Sequence, residues 1–404
     1  MSDADRVIVA GAGPVGLTVA LLLGQRGIPV VVLEANAGLI EDYRASTIHP
    51  PTLDLLEESG ITGALLQMGL VCPTFQYRDR AEGKVAELDL SLLARDTNHP
   101  YRLQCEQFKL ARYVYERLAQ TGGAEVAFEH RISSFEQDDE GITVDVQTPD
   151  GPKRYAGRYL IGADGARSVV RGSLGIAFEG FTYPERFIVS GTTFDFKAEI
   201  AGLSSVNYIA DPKEWCLILQ IPDMWRCIFP LAQDEDEAYA VSDAGIDERL
   251  RGFHPRDEPY EIVVRAIYRV SQRVAARYRG GRAFIAGDAA HINNPLGGMG
   301  LNGGLHDALS LTRRIADTYD DRGAEVALDA YEAQRRPEAI DAVNAQTAAN
   351  KKALEERDPA ARKRQLDAWR ALEADPAAAY AHLLRTSMIA SLRRCAMLPE
   401  GIRR

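Results

Sequence analysis

The chain has 404 residues, enough for two domains with well-buried cores or for one interrupted domain, and its 46% hydrophobic and 26% charged residues are those of an ordered globular protein. A formal net charge of −11 argues against nucleic acid or an anionic membrane as partner, since both normally require a basic face, while leaving room for a local arginine cluster around a small ligand. Five cysteines, odd in number, widely spaced and without a CxxC pair, are expected to be reduced and structural, with no metal site.

The N-terminus, MSDADRVIVAGAG, lacks the basic start and long apolar core of a signal peptide, and no apolar run approaches the ~20 residues that span a bilayer. A cytoplasmic location is expected. From there a buried strand over Val7–Ala10 leads through a glycine turn into an apolar helix reaching Leu23. A second strand, Val30–Leu33, ends at Glu34. Gly11, Gly13 and Gly16 have GxGxxG spacing: the first allows the tight turn, the second lets phosphate approach the backbone, and the third lets the helix pack on the strand. Glu34 stands where an acid would bind a ribose hydroxyl. Strand, glycines, helix, strand and acid in this order predict a dinucleotide site, without saying which dinucleotide.

Next comes RASTIHPPTLDLLEESGI, where Arg44 precedes a Pro-Pro entry into an amphipathic helix; a guanidinium suits a pyrophosphate, although a solvated surface arginine has the same look. YLIGADGARSVVR reads as an apolar strand that ends at Asp164-Gly165 and runs straight into a helix, with Asp164 also suited to cap it. From about 180 to 275 the glycine-turn-helix units give way to short alternating, aromatic-rich runs, which predict an antiparallel sheet with one covered face. IDERLRGF between them reads as a helix, and the segment of about 75 to 100 is expected to add strands to this layer. RAFIAGDAAH repeats the strand-end acid at Asp288, ahead of a glycine-rich loop with Pro295. Beyond Leu305 the pattern is helical almost to the end, with Pro337 a kink or break.

GxGxxG with Glu34, the Asp164-Gly165 element and GDAAHxxxPxxGxGxNxGxxDA from Gly287 to Ala308 together resemble the single-component, FAD-dependent aromatic hydroxylases typified by p-hydroxybenzoate hydroxylase, over roughly residues 5 to 345. The resemblance implies an α/β fold: a Rossmann-like FAD-binding domain (1–75, 100–180 and 276–345), an inserted antiparallel-sheet substrate domain (76–99 and 181–275), and C-terminal helices (346–404). The last 50 residues lack the extra domain of longer relatives and read as packing or oligomer contacts, compatible with a homodimer. Gly11, Gly13, Gly16 and Glu34 would hold the adenosine half of FAD, Asp288 the ribityl chain, and Asp164 both cofactor and NAD(P)H use. Arg44 matches the family's flavin-contacting arginine. Gln107 matches its cofactor-contacting glutamine, with Gln104 the competing assignment.

The same resemblance implies tight, non-covalent FAD, NAD(P)H as a transient co-substrate, molecular oxygen, and hydroxylation of an electron-rich ring through a C4a-hydroperoxyflavin. Backbone N–H groups of the loop, at Gly298, Gly300, Leu301 and Asn302, would face the flavin edge where negative charge gathers on reduction. Gly298 to Gly303 repeats the GxGxxG spacing, but it follows a polar loop and no strand with a terminal acid follows it, so it is not read as a nicotinamide site. The expected substrate is a small phenolic or N-heteroaromatic acid. Candidates to hold or activate it are Tyr208 and Arg226 on the sheet, and His49 and Pro295 nearer the cofactor. Trp215 and Tyr268 read better as packing, and His291 as structural. Flavin halogenases, non-oxygenating relatives and a flavin-bound sequestering protein are the other readings. The halogenase WxWxIP signature is not matched by MWRCIFP.

Overall fold

The computed structural model describes residues 5–41, 43–121, 123–320 and 326–398; the first four residues of the N-terminal stretch and the last six of the C-terminal segment lie outside the described residues. Strands Val7–Ala10, Val30–Leu33 and Tyr159–Gly162 are buried at every position. Their uninterrupted apolar runs are those of strands covered on both faces. They belong to a six-stranded sheet ordered Arg279–Gly280, Ala283–Ile285, Tyr159–Gly162, Val7–Ala10, Val30–Leu33, Ala124–Ala127, in which only the first, an edge strand, runs antiparallel. Ala10 lies opposite Gly162, and Gly162 opposite Ile285. Three strands therefore end level, and the chain leaves each of them toward Gly11, Asp164 and Asp288 on one edge. Helix Pro14–Gly24 packs against both Gln107–Thr121 and Gly300–Tyr319 on this layer.

The eight-stranded sheet is ordered His291–Ile292, Ile262–Ala275, Phe178–Thr192, Met224–Leu231, Cys216–Ile221, Val206–Ala210, Thr74–Asp79, Gly83–Asp89. It departs from the wholly antiparallel expectation at one place: Thr74–Asp79 pairs parallel to Val206–Ala210. The hairpin carrying it arrives from a distant part of the chain, so no tight turn dictates its direction. The expectation of one covered face is also corrected. Ile246 and Leu250 of helix Asp243–Phe253 pack with Ile209, Ile218 and Phe229 on one side, while Leu366, Trp369 and Leu383 from the C-terminal helices join Tyr77, Tyr208 and Leu217 on the other. Trp369 stacks on Tyr77 at 4.5 Å and 4°.

A small antiparallel sheet, Arg131–Gln137, Ile142–Thr148 and Gly151–Gly157, flanks the parallel layer and was not among the predicted elements. At the C-terminal side, helices Pro359–Ala374 and Pro376–Thr386 each start with proline behind a capping aspartate, Asp358 and Asp375. Pro337 falls near the end of helix Val326–Glu338 and is followed by a π-helical stretch, Ala339–Asn344, which passes directly into Ala345–Glu355. The missing amide thus shifts the hydrogen-bond pattern without ending the rod. Among the described residues no helix is long and apolar enough to cross a membrane.

Candidate active site

The N-terminal glycine turn is built by close approach. Gly11 has φ +100°, and a side chain there would come within 2.6 Å of the Ala163 carbonyl oxygen. At Gly16 a Cβ would stand 2.1 Å from the Gly11 oxygen, so the helix seats directly on the turn, whereas nothing lies within 4 Å of a Cβ at Gly13. Glu34 closes the turn from the next strand: Oε2 accepts from Ala12 N at 2.7 Å and Oε1 from Asn36 N at 2.9 Å.

Gly11, Gly13, Glu34, Asp164 and Arg167 line a cavity of about 320 Å³. A second cavity, of about 540 Å³, runs between the parallel-sheet edge and the eight-stranded sheet, and Arg44, Gln107, Asp288, Pro295, Gly298, Gly300 and Leu301 all line it. Gly13, Ala163 and Arg167 belong to both walls, so the two form one trough across the sheet edge. Arg167 was not singled out in the sequence, although it follows the Asp164-Gly165 element directly.

Asp164 departs from the expected arrangement. The helix begins only at Val169, and Ser168 takes the capping position by accepting from Arg171 N. Gly165, at φ +77°, turns the chain first, and Asp164 Oδ2 then reaches forward to the amides of Val169 (2.7 Å) and Val170 (3.1 Å). Its Oδ1 is buried without a hydrogen-bond partner beside the smaller cavity. A bound ligand's hydroxyl or amide is what such an oxygen requires. The two glutamines also separate: Gln107 opens its helix on the trough wall, while Gln104 is fully buried and accepts from the hydroxyls of Ser46 and Thr47, both at 3.1 Å.

The far wall is a lattice of alternate residues from five strands. Tyr208 lies opposite Leu217, Leu217 opposite Ile228 and Ile228 opposite Val189; one row on, Val206 lies opposite Leu219 and Leu219 opposite Arg226. All of these line the trough, as do Phe187 and its partner Tyr268. Period-two alternation puts them on one face. Tyr268 thus belongs to the wall. Trp215 meets the packing expectation, being buried edge-on against Phe187 at 5.2 Å.

Arg226 is 2% exposed and ties the sheet to the segment around Arg44, donating from Nη1 to Ser46 Oγ at 2.8 Å and from Nη2 to the Arg44 carbonyl at 3.1 Å. The Tyr208 hydroxyl accepts from Arg102 Nη1 at 3.1 Å, which leaves its own proton for an acceptor elsewhere. Arg102, buried behind the wall over the Phe75 ring at 4.1 Å, escaped the sequence reading because nothing local marks it.

His49 is corrected. It is fully buried and does not line the trough; as the residue capping helix Pro50–Glu57 it turns its ring into the loop behind, with Nε2 2.8 Å from the Gly297 carbonyl oxygen. Burial, reinforced by the nearby Arg102 charge, lowers it to about 3. Its ring is thus not placed to meet a ligand in the trough. The Asn302 side chain likewise faces away from the trough, accepting from His49 N (2.9 Å) and Thr52 Oγ1 (2.7 Å) and donating to Thr47 O (2.9 Å) and Gly298 O (2.6 Å). His291 is structural as expected: Nε2 is 2.7 Å from Asp307 Oδ2.

The FAD binding domain family matches residues 5–346. Para-nitrophenol 4-monooxygenase of Pseudomonas sp. (strain WBC-3) is 35% identical over 371 residues, 90% of either chain. The 6-hydroxy-3-succinoylpyridine 3-monooxygenase of Pseudomonas putida (strain DSM 28022 / S16) is 34% identical over 362 residues, 89% of this chain and 91% of that one. The crystal structure of p-nitrophenol 4-monooxygenase from Pseudomonas putida DLL-E4 matches with TM-score 0.92 at 32% identity, covering 100% of both chains.

Proposed function

The chain belongs to the FAD binding domain family of aromatic-ring monooxygenases, and from that premise we propose that its substrate is a single phenolic or hydroxylated N-heteroaromatic ring carrying a polar or anionic group. It is an FAD-dependent monooxygenase, with a reduced nicotinamide and molecular oxygen as co-substrates. The observation that carries the substrate reading is the far wall: apolar slots formed by Leu217, Leu219, Ile228 and Val189, interrupted by Tyr208 and Arg226. Both similar enzymes act, by their names, on a ring of this kind.

Bound FAD supplies electron storage and oxygen activation. The residues present fit it: open space at Gly13, the partnerless Asp164 oxygen, and a continuous trough leading to the glycine loop. In this reading Gly11, Gly13, Gly16 and Glu34 receive the adenosine end, Arg167 and Asp164 the linking region, Asp288 the ribityl hydroxyls, and Arg44 and Gln107 flank the ring. Amides of Gly298 to Asn302 meet its charged edge. Tyr208 donates a hydrogen bond to the substrate oxygen, Arg226 favours its anionic form, Pro295 closes the opposite side, and the aliphatic wall excludes water. The three-part FAD-binding unit and the inserted sheet unit, with helices beyond 345, follow from the same reading, as do a cytoplasmic location and a homodimer that binds no nucleic acid.

The test is NADH and NADPH oxidation by the FAD-loaded protein across nitrophenols, hydroxybenzoates and hydroxypyridines, with product mass under ¹⁸O₂. We expect stimulation by one such ring and a product gaining one labelled oxygen. No stimulation by any ring of this panel, or a product without label, overturns the proposal.

A further inference from the structure

The loop between the turn at Gly287–Ala289 and the helix Gly300–Tyr319 has its carbonyls engaged by protein donors in an unbroken run. Asn294 O accepts from Asn293 Nδ2 (2.7 Å), Pro295 O from Gly298 N (3.0 Å), Leu296 O from Asn350 Nδ2 (3.1 Å), Gly297 O from His49 Nε2 (2.8 Å) and Gly298 O from Asn302 Nδ2 (2.6 Å). His49, Asn350 and Asn302 do not line the trough, so these three donors hold the loop from behind. Among the described residues, the amides of Met299, Gly300 and Leu301 donate to no protein acceptor, and all three residues line the trough.

This orientation is only partly enforced by the loop itself, through the Gly298 N to Pro295 O bond. Gly297 and Gly298 are adjacent and both have positive φ, +113° and +66°. Paired glycines let the peptide between them rotate at little steric cost, so its direction is set by its two hydrogen bonds, Gly298 N to Pro295 O within the loop and His49 Nε2 to the Gly297 carbonyl from outside it. A Cβ at Gly297 would come within 3.0 Å of Asn350 Nδ2, which shows how tightly that donor is seated.

We propose that His49 and Asn350 are positioning residues for the flavin: by holding the Gly297 and Leu296 carbonyls behind the loop they keep those oxygens turned from the bound ring and fix the turn from which the amides of Met299, Gly300 and Leu301 emerge into the trough, and thereby favour the ring's reduced form. A hydride brings two electrons and one proton, so the ring gains net negative charge. N–H dipoles stabilise that charge, and a rotated peptide would oppose it. His49 suits the task because it stays neutral: with Nε2 donating, Nδ1 carries no proton and has no partner.

The inference rests on the proposed seating of the flavin ring against this loop. It is tested by measuring the midpoint potential of bound FAD against reference dyes in the native holoenzyme, His49→Ala, His49→Gln and Asn350→Ala. Each alanine variant is expected to bind reduced FAD about tenfold less favourably relative to oxidised FAD, about 30 mV downward for a two-electron couple. Gln, whose side-chain amide can replace Nε2–H, should recover most of it. Unchanged potentials in folded, FAD-loaded alanine variants overturn the inference, as does a His49→Ala loss that Gln does not recover. If His49→Ala does not fold, Asn350→Ala decides alone, since Asn350 is a half-buried helix residue away from the trough. Failure of the native protein to hold FAD would instead overturn the cofactor seating.

Discussion

Arg335 and Asp307 form an ion pair shut off from solvent, Nε to Oδ1 2.8 Å, with the two side chains 2% and 0% exposed. The other Asp307 oxygen accepts from Gly287 N at 3.1 Å and lies 2.7 Å from His291 Nε2. One carboxylate thus joins the turn that carries Asp288 to helix Val326–Glu338, which is why both His291 and Asp307 accompany the strand-end acid in the motif.

Removing one partner of such a pair strands the other's charge, so Asp307→Asn should cost about 3–5 kcal/mol and loosen FAD, read by urea unfolding of the holoenzyme at pH 7. Burial opposes the Asp307 charge, but His291 and Arg335 outweigh it and hold the carboxyl below its ordinary 3.8. A lowered acid stabilises the fold above its unfolded value, and that share is lost as pH falls through the lower folded value. Acid unfolding below pH ~4 should therefore be shallower in the variant than in the native protein.

Two glycines of the fingerprint should fail differently. Gly16→Ala forces a Cβ onto the Gly11 carbonyl oxygen, 2.1 Å away, and is expected to abolish folded protein. Gly13→Ala meets no atom within 4 Å and should fold with a native circular-dichroism spectrum while losing FAD affinity at least ~10-fold, because the methyl occupies the ligand's approach. Equal FAD affinity in Gly13→Ala and native protein would contradict the phosphate path.

Tyr208→Phe keeps the ring among Phe75 and Tyr77 but removes the hydroxyl held by Arg102. We expect kcat/KM for the ring substrate to fall about 10- to 100-fold, the worth of ~1.5–3 kcal/mol for a hydrogen bond to a charged group, with FAD content unchanged. Steady-state oxygen uptake with the best substrate reads it.

His49 also leaves a pH signature. Its folded value, lowered to about 3 from 6.5, means that the unfolded chain binds this proton first on acidification. Its stabilising share is complete above pH 6.5 and declines below it, by roughly 2 kcal/mol at pH 5. His49→Gln should remove that share of the difference between urea unfolding at pH 7 and at pH 5; an undiminished difference would refute it. His382, lowered to about 4 mainly by burial with Arg385 and Arg102 adding to it, contributes in the same direction and remains in the variant.

What the sequence made legible was local. Gly11, Gly13, Gly16 and Glu34, then Asp164 and Asp288, announce themselves through spacing after apolar strands, and level strand ends bring them to one edge. Distance in the chain hid the rest. Nothing near Arg102 says that it will support Tyr208, and only the pairing register places Tyr268 beside Phe187 on the wall. His49 was misplaced because it follows Arg44 closely in the chain, whereas its ring turns to the Gly297 carbonyl behind the loop. The small sheet over 131–157 was missed although ITVDVQT alternates buried and partly exposed positions.

The parallel pairing of Thr74–Asp79 with Val206–Ala210 makes the eight-stranded sheet impossible to lift out as a cassette. Two of its strands are supplied by chain that precedes helix Gln107–Thr121, and the others follow Tyr159–Gly162. A graft of the 178–275 segment into another member of the family would arrive without its border strands and expose the open edge of Val206–Ala210, inviting aggregation. Exchange of specificity between such enzymes has to proceed residue by residue on the wall, or by moving both segments together.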